Sequence, residues 1–332
     1  MSRHHRRLLL RILGVPLLFA VLAGASWGIA RFYSPSDAET GQTIVLERGV
    51  GLGQIARALE DGGVINNAII FRTGVRLTGK TRALRAGEYF IPARSSAKSV
   101  IGILASGKTV VRRLTVPEGL TVVQVAALLE SVEALDGGLG DLPGEGRVLP
   151  ETYFFSWGDA RAGVLARMQS ALGEALAEVW AERDVGLPFD VPEQALILAS
   201  IVERETARPE ERARVAAVFV NRLRLGMRLQ SDPTVAYGLT LGRGPLGRSL
   251  TRADLRSDTP YNTYVIKGLP PGPITNPGRA ALEAVVHPAQ TDELYFVADG
   301  EGGHAFAKTL AEHQRNVARW RALQDRQRGS GD

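Results

Sequence analysis

The sequence predicts an α+β protein with an N-terminal transmembrane helix, a small subdomain, and a larger mixed α/β domain. Three observations carry that reading. Ile12 to Ala30 is a run of 19 residues without a charge. From residue 43, short β-branched runs alternate with segments of helical period, and beyond residue 160 the amphipathic segments lengthen. The divisions expected are a cytoplasmic tail at 1–11, a span at 12–30, a subdomain at 43–109, a main domain at 110–320 and a polar tail at 321–332.

The apolar run contains Pro16 and three glycines but has no polar face. At 1.5 Å per residue, about 20 residues cross a hydrocarbon core of ~30 Å. Arg3, Arg6, Arg7 and Arg11 precede it, which places the N-terminus in the cytoplasm and the rest across the membrane. Trp27, Phe32 and Tyr33 sit where aromatic side chains anchor the far interface. Ala23-Gly24-Ala25 offers a signal-peptidase site, but the apolar run continues past it, which favours an uncleaved anchor.

Charge and composition exclude several classes. The chain has 40 Lys and Arg against 35 Asp and Glu, and five arginines lie in the first 31 residues, where no acid occurs. The remainder is formally neutral, so the high isoelectric point belongs to the N-terminal arm and gives no nucleic-acid footprint. No cysteine is present, which excludes disulfides, thiolate catalysis and cysteine-ligated metals. The five histidines show no metal-ligand spacing, so neither a metal nor a cofactor is expected.

Thr43–Leu46 reads as a strand. Leu52, Ile55, Ala56 and Leu59 then keep helical spacing up to a Gly62-Gly63 stop, and a second helix covers Asn67 to Leu77. Gly87–Ile91 reads as a strand and Ser99–Leu104 as a short helix. Val110–Val116 alternates as a strand should, and a helix carries Val122, Val125, Ala126 and Leu129 on one face. The Gly- and Asp-rich stretch from 136 to 146 is a loop or a subdomain boundary. Val164 to Trp180 forms one long amphipathic helix, Pro192 opens the next, and Glu210–Leu225 forms another. Gly268–Gly278 is an irregular loop. Leu294–Ala298 and His304–Ala307 make a hairpin around DGEGG.

Chemistry concentrates between Leu196 and Gly238. An apolar helical run ends in Glu203 and Glu205, followed by a polar loop of Gln230, Ser231, Asp232, Thr234 and Tyr237. A carboxyl group on an apolar turn is costly to ionise, and a raised pKa suits a general acid. Glu203 and Glu205 are two residues apart, roughly opposite around the helix, so they cannot both face one substrate. Glu203 shares the face of Leu196, Ala199 and Ser200 and is the expected proton donor. A surface glutamate is the ordinary alternative.

ASIVERET (Ala199–Thr206), VFVNRLRLGMRLQSDPTVAYG (Val218–Gly238), YNTYVIKGLPPGPITNPG (Tyr261–Gly278) and YFVADGEGGHAFAKTLAEH (Tyr295–His313) resemble the YceG-like family. These are membrane-anchored endolytic murein transglycosylases of bacteria, and the resemblance runs from about Thr43 to Arg319. It implies a LysM-like subdomain at 43–109 and a bacterial plasma-membrane location with the catalytic body outside. The partners it implies are peptidoglycan glycan strands and, as neighbours, peptidoglycan synthases. It implies Glu203 as the acid and a groove bordered by the segment that carries Glu151; Gln230, Asp232, Tyr237, Tyr261, Asn262 and Thr263 are the expected sugar-contacting groups. Arg222 and His304 are expected to be structural.

The same resemblance implies a reaction that needs one carboxyl group. The C6 hydroxyl of N-acetylmuramic acid attacks its own anomeric carbon and closes a 1,6-anhydro ring, so orientation replaces a recruited water. Two alternatives stand beside it. One is a hydrolase using Glu203 and Asp232 as a carboxyl pair. The other is a wall-binding scaffold without catalysis.

Overall fold

A computed structural model describes the backbone of residues 3–329 and the side chains of 15–326. The side chains of Arg3, Arg6, Arg7 and Arg11, on which the cytoplasmic assignment of the N-terminus rests, lie outside the described residues. Helix α1 runs Arg3–Tyr33 with Pro16 inside it. Its segment Val15–Tyr33 has mean hydropathy 1.6, long and apolar enough to cross a membrane, and none of its side chains is fully buried. The apolar helix thus extends beyond the expected limit at Ala30.

The chain divides into two compact units, Met1–Arg112 with Phe155–Gly158 and Arg113–Phe154 with Asp159–Asp332. In the first, β1 (Gln42–Leu46) is followed by α2 (Leu52–Asp61), α3 (Ala68–Leu77), β2 (Gly87–Ile91) and α4 (Ala97–Ser106). β1 and β2 pair antiparallel from Gln42↔Ile91 to Leu46↔Gly87. Short helices survive here because they are capped and packed. Asn67 accepts from Ile70 N at 2.9 Å, Ser96 accepts from Ser99 N at 3.2 Å, and Leu59, Phe71, Tyr89, Val100 and Leu104 are fully buried between them. Glu88, also buried, is held by a two-bond fork from Arg112 at 2.6 and 2.8 Å.

β3 (Val111–Thr115) opens the passage into the second unit and pairs with the later strand β5 (Thr152–Ser156); the division between units falls within both. Between them lie α5 (Val122–Glu130), with a Thr121 cap on Gln124 N, and β4 (Leu135–Asp136), which pairs in parallel with β6 (Asp159–Ala160). The core is built by α6 (Arg161–Ala181), α7 (Pro192–Glu205), α8 (Pro209–Arg224) and α10 (Arg279–Val286), with α10 packed on α6, α7 and α8. Ala195, Leu196, Leu198, Ala199, Ile201 and Val202 of α7 are all wholly buried. At about 1.5–3 kcal/mol for each large aliphatic side chain, these contacts pin α7 firmly in the core.

Two elements differ from the sequence expectation. The polar stretch after Gln230 is not a loop throughout: Asp232–Thr240 forms α9, with Ser231 at its N-cap and Asp232-Pro233 in its first turn. Ser-Asp-Pro is a helix start, and Thr234 and Val235 supply a buried face. The tail expected at 321–332 is helical for most of its length, because α11 runs Leu310–Gly329. Before it, β7 (Tyr295–Ala298) and β8 (His304–Ala307) form the expected antiparallel hairpin.

Candidate active site

α7 ends at Glu205, and the chain turns sharply because Thr206 is extended and Pro209 starts α8. The last carboxyl of α7 therefore projects from the end of a buried helix into a cleft of about 500 Å³. That cleft is lined by Glu205, Gln230, Asp232, Tyr264 and His304, with Tyr295 and Phe296 among its apolar walls. Ser231 Oγ donates to Glu205 Oε1 at 2.5 Å. Burial pushes the Glu205 carboxyl up to about 7, with the charge of Asp232 adding to it and the Ser231 hydrogen bond working against it. The position adds to the effect, since the C-terminal end of a helix disfavours a negative charge.

Asp232 sits at the opposite kind of helix end, the first turn of α9, where negative charge is favoured. Tyr264 Oη donates to Asp232 Oδ1 at 2.6 Å. Gln230, beside it, has a left-handed backbone (φ 54), and its N–H donates to Thr263 O at 3.1 Å. A non-glycine residue held there stores strain of order 1–3 kcal/mol, of the kind that gathers at ligand sites. His304 joins Glu211 of α8, Nδ1 to Oε2 at 2.7 Å, with the Glu211 Oε1 accepting from His304 N. That pair fixes the imidazole, and His304 lines the cleft.

A second cavity of about 420 Å³ is lined by Gly119, Arg204, Tyr237, Gly242 and Leu250, and Asp232 lines it too. Asp232 borders both clefts. Tyr237 and Tyr261 stand with ring centroids 4.8 Å apart, and Glu145 accepts from Val122 N at 2.8 Å nearby. Burial raises both the Glu145 carboxyl and the Tyr237 phenol.

Glu203 lines neither cleft. Its Oε2 accepts from Gly278 N, the N-cap of α10, at 3.0 Å, and its Oε1 lies 4.0 Å from Arg212. Burial raises its pKa as well, but Gly278 and Arg212 draw it back. The carboxyl docks one buried helix on another, and the side chain is 6% exposed. Of the two carboxyls, Glu205 and not Glu203 lines the cleft. Asn262 and Thr263 are fully buried: Asn262 Nδ2 donates to Ser257 O at 2.7 Å, and Thr263 Oγ1 meets Thr234 Oγ1 at 2.8 Å. They build the loop from behind and are closed to a sugar. Glu151 is exposed and borders neither cleft. Tyr261 packs against Tyr237 and the core, while Gln230, Asp232 and Tyr237 do reach the clefts. Arg222 is buried and donates to Leu294 O at 2.7 Å and Leu229 O at 2.6 Å, tying the strand and loop that flank Glu205.

Glu205, a carboxyl raised by burial, thus lines a polar cleft together with Gln230, Asp232, Tyr264 and His304. The chain belongs to the YceG-like family, whose profile matches residues 44–319. An endolytic murein transglycosylase of Bacillus subtilis is 30% identical over 310 residues, covering 84% of this chain and 84% of that protein. One from Streptococcus pneumoniae is 29% identical over 86% of this chain, which spans 59% of that longer protein. The crystal structure of a yceG-like protein from Listeria monocytogenes superposes with a TM-score of 0.50 at 31% identity, covering 84% of this chain and 99% of that one.

Proposed function

We propose that this protein is an endolytic lytic transglycosylase of peptidoglycan, with Glu205 as its acid and base. The observation that carries the residue assignment is a buried carboxyl, pushed up to about 7, that opens onto the cleft. Such a group holds a proton near neutrality and can give it up in the transition state. Glu205 protonates the glycosidic oxygen between N-acetylmuramic acid and N-acetylglucosamine as the bond from C1 to that oxygen breaks. The C6 hydroxyl of the muramic residue forms the new bond to C1, and the Glu205 carboxylate takes its proton. The acid is regenerated and no water is consumed.

Ser231 holds one carboxyl oxygen and leaves the other for the substrate. Tyr264 orients Asp232, and His304, fixed by Glu211, offers a further polar edge. The two clefts bordered by Asp232 support cleavage inside a strand, because sugars can extend in both directions. The apolar helix anchors the protein in the plasma membrane with the body outside, and the β1–β2 unit serves as a LysM-like glycan-binding module. Asp232 in the same cleft as Glu205 favours a second reading, a two-carboxyl hydrolase. Mass spectrometry of strand ends separates them: 1,6-anhydromuramic ends are expected, and reducing muramic ends from the wild type would establish hydrolysis.

A further inference from the structure

The first unit carries a surface that neither the fold nor the cleavage reaction uses. A cleft of about 650 Å³ lies along α1 and α3, with walls from Gly24, Trp27, Phe32 and Tyr33 on one side and Ile69, Gly74 and Leu77 on the other. The two helices are in intimate contact: a Cβ on Gly74 would come within 2.2 Å of the Phe32 ring. Ile69 and Leu77 are nevertheless 70% and 82% exposed. The cleft extends back along α1 to Gly24, seven residues inside Arg31, or about 10 Å at 1.5 Å per residue. That depth lies within the apolar stretch Val15–Tyr33.

Charge points to the occupant. Residues 31–112 carry 12 Lys and Arg against 6 Asp and Glu, whereas 113–332 carry 24 against 29. The formally neutral body is therefore two oppositely charged units. Residues 62–87, which contain α3, hold five basic side chains and no acid. Among the described residues, Arg72, Arg76, Lys80 and Arg82 enter no ion pair. Apolar side chains beside unpaired cations, next to a membrane-length helix, are the composition of an interfacial helix.

We propose that α3 lies in the outer interface of the bilayer, with anionic lipid filling the α1–α3 cleft. Ile69 and Leu77 insert among the upper acyl carbons, and Arg72, Arg76 and Lys80 meet the phosphates. The proposal rests on the reading of α1 as an anchor. It fixes the first unit against the membrane surface by a second contact besides the helix itself.

The cysteine-free chain makes a direct test available. Full-length protein carrying Leu77→Cys, Val21→Cys on α1 or Arg57→Cys on the exposed side of α2 is labelled with a polarity-sensitive fluorophore. Each is reconstituted in phosphatidylcholine vesicles with or without phosphatidylglycerol. The Leu77 label is expected to be quenched several-fold more by shallow lipid-borne nitroxide than by aqueous iodide, with the Arg57 label reversed. That preference should weaken without phosphatidylglycerol and in the Arg72→Glu/Arg76→Glu/Lys80→Glu variant. A Val21 label buried in lipid beside a Leu77 label as open to iodide as Arg57 would overturn the proposal while leaving the anchor intact. A Val21 label open to iodide would remove the anchor, and the proposal with it. A Leu77 label indifferent to lipid charge and to the triple variant would overturn the role of anionic lipid.

Discussion

At the residue scale, the account turns on which of two glutamates meets the substrate. Burial raises both, so the direction of the shift alone does not separate them. Access does: Glu205 opens onto the cleft, whereas Glu203 is committed to Gly278 and Arg212. Turnover should fall as pH rises through about 7, where Glu205 gives up its proton. A rate on glycan strands that holds level well into the alkaline range, with folding intact, would contradict this. Stability follows the same group. Unfolded, the carboxyl ionises near 4.5, and folded near about 7, so the native state loses stability as pH rises between those values. Glu205→Gln does not titrate, and its stability margin over wild type should grow across that window. The gain above pH 7 is at most about 3–4 kcal/mol, from 4.5 to about 7 at ~1.36 kcal/mol per pH unit, and is reduced by the group's opening to the cleft. Thermal melts of both proteins at pH 5 and pH 8 check it; an equal difference at the two pH values would refute the burial argument. The ambiguity lay in the sequence for a physical reason. Leu198, Ile201, Val202 and Glu205 share one helical face, and Leu196, Ala199, Ser200 and Glu203 another. Because the apolar residues of both these faces of α7 are buried, periodicity marks both as core and cannot say which carboxyl opens outward.

At the element scale, the long periodic helices and the glycine-linked hairpin were legible, because their patterns repeat over several turns or flank a clear turn signal. Helix α9 was not. Its polar residues suggested a loop, and only the Ser231-Asp232-Pro233 start and the burial of Thr234 and Val235 reveal a helix docked behind the cleft. Asn262 and Thr263 misled in the same way: polar side chains read as sugar ligands turn out to satisfy buried backbone and hydroxyl groups. The loop that carries Ile274 shows how tightly such irregular backbone is held. Gly146 has φ 73, and a Cβ there would approach Pro273 Cγ to 2.6 Å. Gly146→Ala should therefore cost about 1–2 kcal/mol from the left-handed backbone and a further ~1–3 kcal/mol from the displaced proline. Urea unfolding should show a clearly lowered midpoint; an unchanged midpoint would mean that the loop yields freely.

At the scale of the whole molecule, the family, the mixed α/β architecture and the apolar N-terminal helix were all legible, because ordered motifs and a long uncharged run survive without any knowledge of packing. The division of charge was hidden by its own balance, since an excess of bases in one unit offsets an excess of acids in the other. Early digestion products should be internal fragments of mixed length, as expected if strands run through the clefts on either side of Asp232. Steady release of disaccharides from one end, with long strands persisting, would contradict an open groove.

The most direct measurement is turnover on purified glycan strands by Glu205→Gln and Glu203→Gln side by side, with product ends read by mass spectrometry. Glu205→Gln keeps the Ser231 contact but has no carboxylic proton, so it should lose about 10²–10⁴-fold in rate. Glu203→Gln can still accept from Gly278 and should release 1,6-anhydro ends at a rate of the wild-type order. A folded Glu203→Gln without activity, beside a Glu205→Gln that cleaves normally, would contradict the assignment of the acid.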